Sequence, residues 1–289
     1  MGRVELKARA KVNLALGVRG RRQDGYHELL GVMQTLELCD DVVVELAEMH
    51  PGVRINCNFP GVPGGTANLA YLAASKILAA AGLSVGVNIH INKRIPVAAG
   101  LAGGSADAAA VIRGLSGLVA PFIEYEKLLE IARGIGADVP FCLDGGTMLA
   151  EGVGDVLMPL AQPPRDIAVA LVTPPIAVSS ADVFTGYSQL ARRPEQPDIA
   201  ALRKGLELGD LRKMAEGMGN SLEAVTAAKY PIIMEIKRIF MNCGAAVSLM
   251  SGSGPSVFAL FEEKPAAQCA TKLLEQKLPG LSSFITSFS

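Results

Sequence analysis

The sequence predicts a chain of α+β or α/β class, with strands and helices mixed from end to end. Three observations predict it. Short β-branched and alternating apolar runs recur along the chain, segments with helical spacing lie between them, and the apolar half of the composition (50%) is mostly Ala, Val, Leu and Ile with no Trp. That mix suits packed layers better than a fibrous or disordered chain.

The elements follow in order. Val42 to Leu46 is short and β-branched and reads as a strand. Leu69, Leu72, Ala73, Ile77 and Ala80 recur at helical spacing, and Gly82 can close that helix. In the next segment Val85, Val87, Ile89 and Ile91 alternate with Gly86, Asn88 and His90, so a half-buried strand is expected with His90 on its polar face. Ser105 opens a second helix through Ala108, Ile112 and Leu115, and a third runs from about Tyr125 to Ile135 and stops at Gly136. Ile167 to Val172 is a continuous apolar run, as in a central strand. Later helices are expected over Asp198 to Leu206, Leu211 to Glu223, Pro231 to Met241 and Ala266 to Lys277. The stretch Met158 to Arg165 carries three prolines ahead of a new apolar strand. It marks an expected boundary between a domain of residues 1–160 and one of residues 161–289.

Composition narrows the function. The formal charge is −1 with 19% charged residues, which gives no basic footprint for a nucleic acid and no charged tail. Arg19, Arg21 and Arg22 cluster near the start, as a solvated turn or as a site edge facing phosphates. The five cysteines are scattered, odd in number and without a CxxC pair. A disulfide framework or zinc site is therefore not expected, and a reducing cytoplasm is. Neither a signal-peptide apolar core nor a bilayer-length apolar run is present.

The segment PVAAGLAGGSAD, Pro96 to Asp107, carries the most chemistry. Gly100, Gly103 and Gly104 let the backbone turn sharply and lie against a ligand. The helix that follows offers unpaired amides and a positive dipole end, which favour an anion such as a triphosphate. Ser105 offers a hydroxyl to a phosphate oxygen or to Mg²⁺, or serves as an N-cap. On its own the segment reads equally as a glycine-rich turn before an alanine-rich helix. It is neither a Walker A loop, since no Lys follows the glycines, nor a G-x-G-x-x-G fingerprint.

Gly100 to Ala109 (GLAGGSADAA) resembles the second motif of the GHMP kinases. Four further segments agree, in family order. Ala8 to Leu14 (ARAKVNL) resembles A-x-A-K-[IV]-N-L, and Gly20 to Leu29 (GRRQDGYHEL) resembles G-R-R-x-D-G-Y-H-x-[IL]. Ile135 to Phe141 (IGADVPF), leading into Ala150 to Asp155 (AEGVGD), and Ser251 to Phe258 (SGSGPSVF) complete the set. The G-R-R-x-D-G-Y-H element is similar to that of the branch acting on diphosphocytidyl-methylerythritol, and separates it from mevalonate, homoserine and galactose kinases. Pro174 to Tyr187 matches only loosely, which leaves Phe184 and Tyr187 as alternative pyrimidine-stacking aromatics.

The resemblance implies an α+β fold: an N-terminal domain similar to ribosomal protein S5 domain 2 and a C-terminal ferredoxin-like domain. It implies transfer of the γ-phosphate of ATP to the 2-hydroxyl of 4-diphosphocytidyl-2-C-methyl-D-erythritol, with Mg²⁺ accompanying ATP. ATP would lie along Pro96, Val97, Ala98, Ala99, Gly100, Leu101, Ala102, Gly103, Gly104, Ser105 and Ala106. Asn68 would contact the adenosine side or act only as a helix N-cap. Asp138 is the expected base and Lys11 its cationic partner, a charge that also compensates the transferred group. Asn13, Tyr26, His27 and Asp138 would bind the cytidylyl sugar alcohol, the ring of Tyr26 stacking and the imidazole of His27 meeting the base edge. No carboxylate pair has metal-site spacing, so metal ligands are unassigned. The competing readings are another GHMP small-molecule kinase, of homoserine or mevalonate type, and a catalytically silent GHMP-like binding protein.

Overall fold

The computed structural model describes residues 2–47 and 51–289. They divide into two units. The first comprises the chain up to Ala10, Leu38–Val97 and Ala102–Gly145; the second comprises Lys11–Glu37, Ala98–Leu101 and Gly146–Ser289. Strands β1 (Arg3–Arg21) and β2 (His27–Ala47) are long enough to run through both.

In the first unit the sheet order is β3-β4-β2-β1, with β3 at Gly52–Cys57 and β4 at Gly86–Asn92. β4 pairs antiparallel with β2, Val44 opposite Ile89, and parallel with β3, Val53 opposite Val87. The parallel pair needs a crossover, and α1 (Leu69–Ala81) supplies it. The alternation predicted for β4 is observed: Val87, Ile89 and Ile91 are buried, while His90 is exposed beside Glu45. Helix α2 (Gly103–Val119) lies against α1, and their small residues Ala70, Ala73, Ala74, Ala106, Ala109 and Ala110 are all buried. Small side chains let helix axes approach closely. Ile77 and Ile112 fill the space between helices and sheet, each burial stabilising by about 1.5–3 kcal/mol. Helices α3 (Tyr125–Arg133) and α4 (Val139–Asp144) complete this unit.

In the second unit, β1 and β2 continue into a sheet of order β6-β5-β2-β1-β8, with β5 at Thr147–Gly152, β6 at Val156–Pro159 and β8 at Gly219–Asn220. A second sheet has the order β11-β7-β10-β9 and is antiparallel throughout: β7 Ala168–Thr173, β9 Val247–Met250, β10 Val257–Phe261 and β11 Ser282–Ser287. Numbered by their own order in the chain these strands read 4-1-3-2, the ferredoxin-like arrangement. β7 is buried at every residue, as its unbroken apolar run predicts for an interior strand. The helices are α5 (Ser180–Gln189), α6 (Ile199–Leu208), α7 (Leu211–Gly217), α8 (Glu223–Lys229), α9 (Ile232–Asn242) and α10 (Lys264–Lys277). Ile233, Ile236 and Phe240 of α9 and Ala267, Ala270 and Leu274 of α10 pack with the strands of this sheet.

Three local expectations are corrected. α2 starts at Gly103 and not Ser105, because Ala102 takes the N-cap position in the left-handed region. α3 ends at Arg133, with Gly134 as its C-cap bonding back to Glu130, short of the expected Ile135. The expected helix Leu211 to Glu223 is broken at Met218, where Gly219 and Asn220 pair with Ala15 and Leu16 of β1. A partner strand outbids local helical spacing there. No helix among the described residues is long and apolar enough to cross a membrane.

Candidate active site

In the first unit, the glycine-rich segment prepares a helix end for an anion. Ala102 adopts φ 57°, and no side chain caps α2. The first intrahelical bond is from Ala106 N to Ala102 O at 2.8 Å, so the amides of Gly103, Gly104 and Ser105 point out of the end. No acidic residue occupies the first turn, so the positive dipole end is not neutralised by its own helix. Leu69 Cδ1 stands 3.8 Å from where a Cβ would be at Gly104 and 3.8 Å from the same point at Gly136. The starts of α1 and α2 and the turn Gly136–Asp138 thus meet around one side chain. Asp138 is half-buried at the N-cap position of α4, and its carboxylate does not cap that helix.

Asn68 sits at the start of α1. Its Oδ1 accepts from Ala70 N at 2.9 Å, and its Nδ2 donates to Pro63 O at 2.8 Å. The oxygen of the buried amide therefore caps α1, and its nitrogen ties the cap to the preceding loop.

Against the start of α2 lies a cluster that sequence reasoning missed. Lys93 follows β4, and its ammonium donates to Asp40 and, at 2.8 Å, to Oδ2 of Asp107 on α2. All three side chains are almost fully buried. Asp40 Oδ1 also accepts from the amides of Arg94 (2.6 Å) and Ile95 (2.8 Å). Burial works against the charge of Lys93, but Asp107 and Asp40 outweigh it and hold the lysine above its ordinary pKa. Burial pushes the Asp107 carboxyl up to about 7, against the pull of Lys93. Its Oδ1 is buried without a hydrogen-bond partner. The readable signal was an ionisable Lys-Arg pair directly after an apolar strand.

In the second unit, three motifs far apart in sequence converge. Lys11, only 4% exposed, donates from Nζ to Asn13 Oδ1 at 2.7 Å and to Gly100 O at 3.3 Å. Its backbone amide donates to Leu101 O at 3.1 Å. Ser251 Oγ donates to Gly100 O at 2.9 Å, and Ser256 N to Ala99 O at 3.3 Å. Gly100 is required twice over: its φ is 76°, and an added Cβ would lie 2.2 Å from Ser251 O. Asn220, also missed in the sequence, donates to the carbonyls of Met250 and Gly252 at 2.7 Å each and so braces the Ser251 turn.

A second group in this unit surrounds the hairpin between β1 and β2. The ring of His27 stacks on Phe184, centroids 5.0 Å apart and planes 26° apart, and its Nε2 lies 2.7 Å from Ser188 Oγ. Burial lowers the pKa of His27, and Arg21 and Arg193 lower it further. Tyr26 is 66% exposed. Tyr187 is 1% exposed, with its hydroxyl on Val18 O at 3.3 Å, so no ligand can stack on it. Of the two alternatives, Phe184 is the accessible one. Arg22 pairs with Asp24 and Glu28 at 3.0 Å each, so it serves the turn itself.

Among the described residues, no group of three or more His, Cys, Asp or Glu gathers as a metal cage. Magnesium seldom needs one, since phosphates and water supply most of its ligands.

Comparison with known proteins is consistent along the chain. The family model for the N-terminal domain of GHMP kinases matches residues 68–146, and that for their C-terminal region matches residues 199–279. A 4-diphosphocytidyl-2-C-methyl-D-erythritol kinase of Acetivibrio thermocellus is 45% identical over 267 residues, 92% of this chain and 93% of that protein. A kinase of the same name from a Geobacter species is 42% identical, covering 96% of each chain. A crystal structure of a 4-(cytidine 5'-diphospho)-2C-methyl-D-erythritol kinase superposes with a TM-score of 0.81 at 36% identity, over 98% of this chain and 99% of the other. A homoserine kinase from Cytophaga hutchinsonii (TM-score 0.78, 21% identity, 99% of this chain and 95% of the other) shares the fold.

Proposed function

The chain belongs to the GHMP kinase family, and on that premise we infer that it transfers the γ-phosphate of ATP to the 2-hydroxyl of 4-diphosphocytidyl-2-C-methyl-D-erythritol, giving the 2-phosphate and ADP on the non-mevalonate route to isoprenoid precursors. The observation that carries the reading is the 45% identity to a relative of that name over nearly the whole of both chains. The G-R-R-Q-D-G-Y-H stretch at Gly20 to His27 supports the cytidylyl alcohol over homoserine or mevalonate.

Phosphoryl transfer asks the protein for alignment and charge compensation more than for covalent chemistry. In this reading the amides of Gly103, Gly104 and Ser105 receive phosphate oxygens at the start of α2. The run Pro96–Ala106 follows the nucleotide, and Asn68 borders it from the start of α1. The buried ammonium of Lys11 offsets negative charge near the transferred group, with Asn13 holding its orientation. Asp138 accepts the hydroxyl proton, or orients the hydroxyl when the transition state is loose. Tyr26, Phe184 and His27 receive the cytosine, the rings by stacking and the imidazole by its edge. Magnesium would come with ATP and compensate phosphate charge. Residues 1–160 and 161–289 are proposed as the N-terminal ATP-binding and C-terminal domains. Five free thiols and the need for ATP fit a cytoplasmic location.

Release of ADP with the cytidylyl alcohol, homoserine and mevalonate tests the substrate. Turnover with homoserine alone overturns the substrate assignment, and no turnover with any alcohol favours a silent binding protein. Asp138→Asn should retain ATP binding and lower kcat by about 10²-fold or more. A wild-type kcat in that variant removes Asp138 as the base.

A further inference from the structure

The Lys93 cluster takes no part in the chemistry above, and its position is specific. The glycine-rich segment leaves β4 through Arg94 and Ile95 and ends in the first turns of α2 at Asp107. Asp40 holds the entrance, through the amides of Arg94 and Ile95. Asp107 holds the exit, since it is part of α2. One ammonium is hydrogen-bonded to both carboxylates. It also lies directly under the start of the helix: a Cβ at Gly103 would be 3.1 Å from Lys93 Nζ and 3.1 Å from Ile95 Cγ2.

We propose that Lys93 is a positioning residue for the glycine-rich segment: by bonding Asp40 and Asp107 at once, its buried ammonium fixes the spacing between the strand end that enters the segment and the helix that leaves it. The proposal rests on the reading that this segment holds ATP.

Stability alone does not account for such a cluster. Two carboxyl groups and one ammonium, all out of water, are costly to desolvate, and apolar side chains of similar size would often serve the fold as well. Asp107 keeps Oδ1 buried without a hydrogen-bond partner, while its Oδ2 accepts from Lys93. What the cluster supplies is distance. An ammonium has a short reach, and it satisfies both carboxylates only when the strand end and the helix stand at one separation. Amides at a helix end bind a triphosphate well only if their direction is fixed beforehand. The exposed stem of a surface lysine could not do this, because its rotamers would remain free.

Asp107→Ala is the informative variant, since it cuts the tie to α2 while leaving Lys93 paired with Asp40. We expect the KM for ATP to rise about tenfold or more, the KM for the cytidylyl alcohol to stay within about twofold, and Tm to hold or rise. Asp107→Asn keeps an oxygen for Lys93 and should recover most of the lost ATP affinity. An unchanged KM for ATP in Asp107→Ala overturns the proposal. So does a loss of ATP affinity that only follows a fall in Tm. Gly104→Asp, assayed alongside, separates this from the premise: if that carboxylate on the outer face of the helix start leaves the KM for ATP unchanged, the segment does not hold the triphosphate at all.

Discussion

The start of α2 and the surroundings of His27, proposed above to meet phosphate and base, are built on opposite plans. At α2 the groups on offer are main-chain amides, and the side chains nearest them are hydrogen atoms or methyl groups: Ala102, Gly103, Gly104. At His27 the groups on offer are side chains, brought together from positions 27, 184 and 188. Phosphate is a compact charge that backbone can meet in any sequence able to turn, so its mark is glycine. A base is a flat ring with a patterned edge, and it needs rings and an imidazole held by tertiary contacts. The two plans should therefore fail separately when altered.

The largest separation is expected from Gly104→Asp. A Cβ at Gly104 meets only Leu69 Cδ1, at 3.8 Å, and an acidic residue in a first helical turn favours folding. The KM for ATP should rise about tenfold or more by repulsion, with Tm unchanged or higher. An equal rise in the KM for the alcohol would mean that the two regions are not independent. Phe184→Ala should do the reverse. Loss of one stacked base costs about 1–3 kcal/mol, so the KM for the cytidylyl alcohol should increase on the order of tenfold and that for ATP hardly at all. An unchanged KM for the alcohol would place the cytosine elsewhere.

The smallest effect is one of pH. His27 is held below the ordinary histidine pKa of 6.5, so its neutral form persists to lower pH than in the unfolded chain. Its contribution to stability is present above about pH 6.5 and is lost as the pH falls through its lower folded value. If the neutral ring meets the base, the KM for the alcohol should stay flat from about pH 8 down to 6.5 and climb only below that. His27→Gln should lose the climb. A rise centred above 6.5 would assign the titration to another group.

The same contrast explains what could be read in advance. The glycine-rich segment was legible in the part that is local, the φ of 76° at Gly100; that α2 begins at Gly103 without a capping side chain was not, since Ser105 offered itself as helix start and cap. The alternation of Val87, Ile89 and Ile91 and the unbroken run of β7 were legible for the same reason, since burial of a strand face is written at period two or one. The break at Met218 was not legible, because the competing strand partner, Ala15, lies some two hundred residues away. The choice between Phe184 and Tyr187 was not legible either. Both are aromatic and one helical turn apart, and only packing around Val18 and Arg193 buries one of them.

By itself, then, the sequence determined the periodic elements, the turns that demand glycine and the set of motifs that mark the family, because each depends on neighbours within a few residues. Tertiary structure alone decided which motifs meet: Lys11 with Gly100 and Ser251, His27 with Phe184, and Lys93 with Asp40 and Asp107. Those meetings span tens to hundreds of residues. Hydrogen-bond and stacking energies fade within a few ångströms, so only the folded chain can bring such partners into range.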